Sequence, residues 1–342
     1  MRGLIIRAHG GVDRLTLEEL PEREPQAHEV KVRVRAVGLN HLDLWVRRGV
    51  PGHHFPLPLV PGSDPAGTVA AVGAGVQGLA IGTEVVVAPG LSCGECLHCR
   101  AGREHRCADF GILGETRDGG CAEYVTVPAQ NVLPKPASLS FVEAAAIGIP
   151  FLTAWHMLVD RAELAAKETV LVVAGGSGVG SAAIQIARLF DARVIATVGS
   201  EAKAKAARAL GAEAVLNHST DDVAKEVKRL TEGRGVDVVV EHVGAATWAS
   251  SLRALAWHGR LVTCGSTTGD KVELSLRALF FKAQSVLGST MGSLAEMRTV
   301  LEHAGARRLR PIIAATLPLA EVGRAHELLE SRAVFGRVVL EP

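Results

Sequence analysis

Thr169-Val170-Leu171-Val172-Val173-Ala174 is a run without a charge, and Gly175-Gly176-Ser177-Gly178-Val179-Gly180 follows it directly. A run of that kind predicts a strand buried on both faces. Behind the glycines, Val179, Ala182, Ala183 and Ile186 recur at helical spacing. The stretch therefore predicts strand, tight turn, helix. Downstream the rhythm repeats: Arg193–Val198 (strand), Ala202–Leu210 (helix), Ala214–Leu216 (strand), Asp222–Leu230 (helix). Val236–Glu241 (strand), Thr247–Leu255 (helix) and Gly259–Thr263 (strand) continue it. Strands and helices alternating at this pace predict an α/β fold with a doubly wound parallel sheet.

Upstream the texture differs. Residues 1–150 carry short alternating runs such as Lys31-Val32-Arg33-Val34-Arg35, whose apolar members fall on one side. Similar runs at Gly67–Val72, Glu84–Ala88 and Glu123–Val127 are separated by glycine and proline, so this part reads as β-rich. From about Met291 to Pro342 a helix (Leu319–Glu330) and a last strand (Arg337–Leu340) make a tail able to return to the first domain.

With 342 residues, 48% hydrophobic and 21% charged, the chain is long for one core and reads as two globular domains. A net charge of +1 without a basic block excludes binding driven by phosphate neutralisation. The charged start predicts no signal peptide, and no long apolar window predicts a membrane span, so the expected location is cytoplasmic. Asn and Gln together number eight, which fits a protein that works hot; a GC-rich genome explains the excess of Arg over Lys equally well.

Glycines let a backbone approach a pyrophosphate, and a helix N-terminus offers free N–H groups with partial positive charge. Gly176, Ser177, Gly178 and Val179 are the residues placed to do so. The strict G-x-G-x-x-G pattern is not met, and strand, turn and helix around it carry the reading toward a dinucleotide. The adenosine ribose is read at the end of the second strand, here Thr197-Val198-Gly199-Ser200. No acid stands there before Glu201, whereas Ser200 and Lys203 suit a 2′-phosphate, which favours NADP(H) over NAD(H). A shift of one residue would instead put Glu201 on the ribose. Val243, Gly265 and Ser266, in the turns after later strands, complete this set.

Cys93-x-x-Cys96-x-x-Cys99-x₇-Cys107 is a zinc spacing: four thiolates on one loop loosened by Gly94 and Gly102. Four protein ligands leave no open position, so one structural Zn²⁺ per chain is expected. Cys121 and Cys264 lie in strand-like surroundings and read as small buried hydrophobes.

Cysteine spacing, glycine-rich turn and βαβ order together resemble the medium-chain dehydrogenase/reductase superfamily over nearly the whole chain. The resemblance implies a GroES-like β-rich catalytic domain (1–149 and 291–342, zinc lobe about 90–110) beside a Rossmann domain (150–290). It also implies a nicotinamide and substrate site between them, and a homodimer or homotetramer. Val272–Leu287 is apolar enough for such an interface, or for an internal strand and helix. Zinc alcohol dehydrogenases of this superfamily hold a catalytic zinc through Cys, His and a further Cys. Those positions are matched here by Asn40 (in Gly38-Leu39-Asn40-His41-Leu42-Asp43), by Ser63 (in Gly62-Ser63-Asp64), and by Ile147-Gly148-Ile149. The usual catalytic zinc site is therefore absent. Asn40, Asp43, Ser63, Asp64 and Leu152-Thr153-Ala154-Trp155 look like the quinone oxidoreductase branch, which implies that Asn40 and Thr153 contact the nicotinamide half. Members of that branch commonly lack the four-cysteine lobe that this chain keeps.

Without a Lewis acid, acceptors already prone to take hydride are expected: quinones and α,β-unsaturated carbonyls, with Asn40, Ser63 and Asp64 as the catalytic candidates. Tyr124, in a strand, reads as structural, and no general acid stands out. One alternative is an alcohol dehydrogenase with an improvised metal site drawn from His41, Asp43, His53, His54, Asp64 and His156. Another is a nucleotide-binding protein without turnover, of zeta-crystallin type.

Overall fold

A computed structural model describes all residues, 1–342. It divides into two compact units, Met1–Leu152 with Gly292–Pro342, and Thr153–Met291. The Gly148–Trp155 helix runs across the first boundary, close to where the texture of the sequence changes.

The first unit is built on strand Glu29–Gly38, whose Val30, Val32 and Val34 enter the core while Arg33 and Arg35 stay exposed. Its sheet runs Ile313–Pro318, Arg337–Glu341, Glu29–Gly38, Asp64–Val72, Glu84–Val87, Val132–Pro134, with Tyr124–Pro128 also paired to Glu29–Gly38. The C-terminal strand lies antiparallel on the central one, with Val339 opposite Gly38 and Leu340 opposite Val37. The tail thus completes the sheet begun by residues near the N-terminus, and its register fixes Arg337 beside the residues that follow Gly38. The helix read over Leu319–Glu330 begins as a 3₁₀ turn and becomes α-helical at Val322. The helix Leu294–Gly305 and edge strand Ile313–Pro318 were not separable in the sequence.

In the second unit six parallel strands stand in the order Ala214–Asn217, Arg193–Val198, Thr169–Val172, Val236–Glu241, Leu255–Thr263, Ser285–Gly288. Counted along the chain this is 3-2-1-4-5-6, the doubly wound Rossmann order. The order reverses between Thr169–Val172 and Val236–Glu241, the place where such sheets bind ligands. Val170–Val172 and Val238–Val240 are fully buried, as the uncharged runs predict. The first strand stops at Val172 rather than Ala174, because Ala174 takes φ +50° to begin the turn. Cys121 is fully buried; Cys264 lies just past a strand end, its residue partly exposed and its thiol raised to about 12 by burial. Helix Leu276–Phe281 leaves Leu276, Phe280 and Phe281 exposed beside edge strand Ser285–Gly288. No helix is long and apolar enough to cross a membrane.

Candidate active site, dinucleotide loop and cysteine lobe

In the first unit, Asn40, Asp43, Ser63 and Asp64 converge in a buried polar cluster whose centre is a residue sequence reasoning missed, Arg337. Its Nη1 donates to Asn40 Oδ1 at 2.8 Å and its Nη2 to Asp64 Oδ2 at 2.8 Å. Asn40 Nδ2 donates to the same Asp64 oxygen at 2.9 Å, and the Ile149 N–H to the other at 2.8 Å. Gly148, at the start of its helix, is needed there: a Cβ would lie 2.0 Å from Asp64 Oδ1. Asp43 accepts from the Asn40 N–H at 2.7 Å and the Gly62 N–H at 2.9 Å. Ser63 is fully buried, with an Oγ that has no partner.

Burial pushes the Asp43 carboxyl up to about 7, and the Asp64 charge adds to that rise. Burial also raises Asp64, opposed chiefly by Arg337. Two carboxyls sharing one cation in a dry pocket cannot both ionise easily. The oxygens of Asp43 and Asp64 are committed to N–H donors, and a guanidinium fills the place where a metal would need ligands. His41, His53 and His54 supply no third ligand there; His53 instead pairs with Glu115 at 3.2 Å. His156 lies in the second unit, 3.7 Å from Asp160. The residues do not fit a catalytic metal at Asn40–Asp64.

A second buried group, on the tail helix Val322–Glu330, titrates the opposite way. Burial, with Arg47 next, drives His326 down to about 4. Arg47 itself is buried and pairs with Glu330. The unfolded chain takes a proton on His326 below about 6.5 that the folded chain refuses until about 4. Stability from this group therefore rises with pH across that window, by about 3 kcal/mol. Asp43 holds its proton to about 7 while the unfolded chain loses it near 3.8, so its contribution falls as pH rises. The two slopes oppose. In His326→Gln the penalty at low pH is gone, so its urea midpoint should gain on the wild type's as pH falls from 6.5 to 4; a difference constant over that window would overturn the His326 shift.

In the second unit the glycine-rich turn is clamped to the second strand by Ala174 N–H to Thr197 Oγ1 (3.0 Å) and Gly175 N–H to the Thr197 carbonyl (2.8 Å). Ser177 caps helix Gly178–Leu189, accepting the Gly180 N–H at 2.9 Å. Gly180 must be glycine, since a Cβ would lie 2.3 Å from the Ala174 carbonyl oxygen. Gly176, Ser177, Gly178 and Val179 thus stand together at one helix N-terminus, the position whose free N–H groups favour an anion. Ser200 caps helix Glu201–Ala209 by accepting the Lys203 N–H at 3.4 Å, and Glu201 is exposed, paired with Arg208 at 3.0 Å. Glu241, fully buried at the end of the fourth strand, accepts from the Val243 and Gly244 N–H groups at 2.7 and 3.1 Å, which holds Val243 in the turn. A Cβ on Gly265 would be 3.0 Å from the His242 carbonyl, and one on Gly244 would be 3.0 Å from Ser266 Cα, so those turns touch. Thr153 is buried, its Oγ1 4.0 Å from Met291 sulfur.

In the lobe, Cys93 and Cys99 sulfurs are 3.8 Å apart, Cys96 and Cys99 3.5 Å, Cys93 and Cys107 3.5 Å. A tetrahedron of sulfurs around zinc at about 2.3 Å has edges of about 3.8 Å. The spacings fit a zinc cage and are far too long for disulfides. The N–H groups of Glu95 and Cys96 lower the Cys93 thiol, favouring the thiolate a metal needs.

Residues 26–137 match the family model of the alcohol dehydrogenase GroES-like domain, and 178–305 that of the zinc-binding dehydrogenase. The chain is 32% identical to an NAD-dependent alcohol dehydrogenase of Sulfurisphaera tokodaii, over 96% of each protein. It is 31% identical to a quinone oxidoreductase of Lama guanicoe, over 99% of this chain and 97% of that one. A solved NAD-dependent alcohol dehydrogenase superposes at TM-score 0.97 with 48% identity over the whole of both chains. A cobalt- and zinc-bound thermostable alcohol dehydrogenase from Pyrobaculum aerophilum gives 0.91 with 36% identity, over 100% of this chain and 99% of that one.

Proposed function

The chain belongs to the medium-chain dehydrogenase/reductase superfamily and is an NAD(P)-dependent oxidoreductase, and from that premise we propose that it reduces quinones or α,β-unsaturated carbonyls, with NADPH, without a catalytic zinc. The observation that carries this reading is the Arg337 guanidinium bonded to both Asn40 and Asp64. Its charge is balanced by the Asp64 carboxylate, so it acts through the Asn40 amide rather than as a Lewis acid. NADPH supplies the hydride. Arg337 draws electron density from the Asn40 carbonyl oxygen, so the amide N–H groups become better donors. One of them goes to Asp64; the other has only a 3.4 Å contact to the Gly38 carbonyl and is the donor offered to a developing enolate or hydroquinone oxygen. Such acceptors spread negative charge onto a remote oxygen, so one donor suffices where an unactivated ketone would need a metal.

The preference for NADPH rests on Ser200 and Lys203, with Glu201 turned to Arg208; against it, the archaeal relatives are named NAD-dependent. One structural zinc in the cysteine lobe belongs to the same reading. The second reading, alcohol oxidation at a non-standard metal site, draws on the names of those relatives. Steady-state assays separate the two. A 1,4-quinone or an enone should be reduced with kcat/KM at least about a hundredfold above that for primary alcohol oxidation, a gap of about 3 kcal/mol. Lys203→Ala should raise KM for NADPH about tenfold and leave NADH unchanged. Faster alcohol oxidation would reverse the first assignment, and an unmoved NADPH KM the second.

A further inference from the structure

We propose that His242 aims the Ser177 hydroxyl at the pyrophosphate of the bound dinucleotide, so that cofactor affinity is set partly from the fourth strand. This rests on the dinucleotide reading of the glycine-rich turn. His242 directly follows strand Val236–Glu241, the strand beside Thr169–Val172 where the sheet order reverses. Its Nε2 lies 2.8 Å from Ser177 Oγ.

The hydroxyl has one hydrogen and two lone pairs. One lone pair accepts the Gly180 N–H. If His242 Nε2 carries a hydrogen, the second lone pair accepts it, and the Ser177 proton has no claim from either neighbour. It then points outward with the N–H groups of Gly178 and Val179, which in a first helical turn have no partner along the helix. An anion there meets three donors. If Nε2 is bare, the Ser177 proton is spent on the imidazole and the anion faces an oxygen lone pair. Pyrophosphate binding thus selects the Nε2–H form of His242, and an Nε2–H imidazole in turn favours the anion.

The test is a fluorescence titration of NADPH and NADH, and calorimetry with ADP-ribose, on four variants. His242→Leu takes away the donor that turns the Ser177 proton outward but leaves the hydroxyl as a free rotor, and should weaken all three ligands about threefold. His242→Gln, whose amide still donates, should match the wild type. Ser177→Ala, which removes the hydroxyl itself, should weaken binding about tenfold, and adding His242→Leu to it should change nothing more. In turnover, KM for the cofactor should rise while kcat holds. A His242→Leu loss that persists in the Ser177→Ala background, or a His242→Gln variant as weak as His242→Leu, would overturn the proposal. Should the leucine variant not fold, ¹⁵N spectra of the wild-type imidazole decide: ADP-ribose should increase the Nε2–H population, and no change overturns it. A wild type that binds none of the three ligands refutes the dinucleotide reading itself, a different result from loss in one variant.

Discussion

Arg337→Met is expected to lower the unfolding free energy by about 3–5 kcal/mol, because it leaves a buried carboxylate without its cation. Asp64 is almost wholly excluded from solvent, and so is Arg337. Removing the guanidinium takes one donor from Asp64 Oδ2 and one from Asn40 Oδ1, while Asp43 stays close by. A domain is stable by about 5–15 kcal/mol, so the loss is a fifth of it or more. Urea denaturation measures it directly. The diagnostic variant is the double one: Arg337→Met with Asp64→Asn removes charge and counter-charge together and should recover at least half of the loss. A single-variant loss under about 1 kcal/mol, or no recovery in the double variant, would remove the shared charge from the account of this site. The same variant should lower reductase kcat, since Asn40 would lose both its orientation and its polarisation.

That Arg337 was invisible in the sequence while the glycine-rich turn was plain has a physical cause. The turn, the buried runs Val170–Val172 and Val238–Val240, and the cysteine spacing are local signals: every residue that gives them meaning lies within a few positions. Arg337 acquires its role from residues almost three hundred positions away, through the pairing of Val339 with Gly38. Nothing near Gly336-Arg337-Val338 distinguishes it from a surface arginine at a strand entrance. His242 is alike, since its meeting with Ser177 depends on which strand stands beside Thr169–Val172. Asn40 and Asp64 were legible as positions, by resemblance, but their partners were not. Strand Ile313–Pro318 was missed because an edge strand that alternates exposed and half-buried residues carries little hydrophobic periodicity. Val272–Leu287 was readable in two ways because its apolar residues form a short helix whose Leu276, Phe280 and Phe281 are outside the core.

Stripping zinc with a chelator is expected to unfold the cysteine lobe and leave the Rossmann unit intact. The lobe has almost no core of its own. Cys93 is exposed, Leu97 is 81% exposed, and of the four cysteines only Cys107 is buried. Its neck is a single two-residue pairing, Gly90–Leu91 with Gly111–Ile112, and its helices are one turn each. Elements of that length do not hold themselves, since an isolated pair of strands is marginal even at full length. A metal held by the four cysteines would serve as the lobe's core, worth on the order of 10 kcal/mol in ordering it. Elemental analysis of desalted protein should find close to one zinc per chain. After chelation, hydrogen exchange and proteolysis should rise sharply over residues 93–107 and hardly at all in Thr169–Val172 or Val236–Glu241. Cys107→Ser should do the same without a chelator, because serine is a poor zinc ligand beside thiolates. Two zincs per chain would put a second ion in the protein, and loss of alcohol oxidation with that ion would transfer the chemistry from Arg337 to a metal.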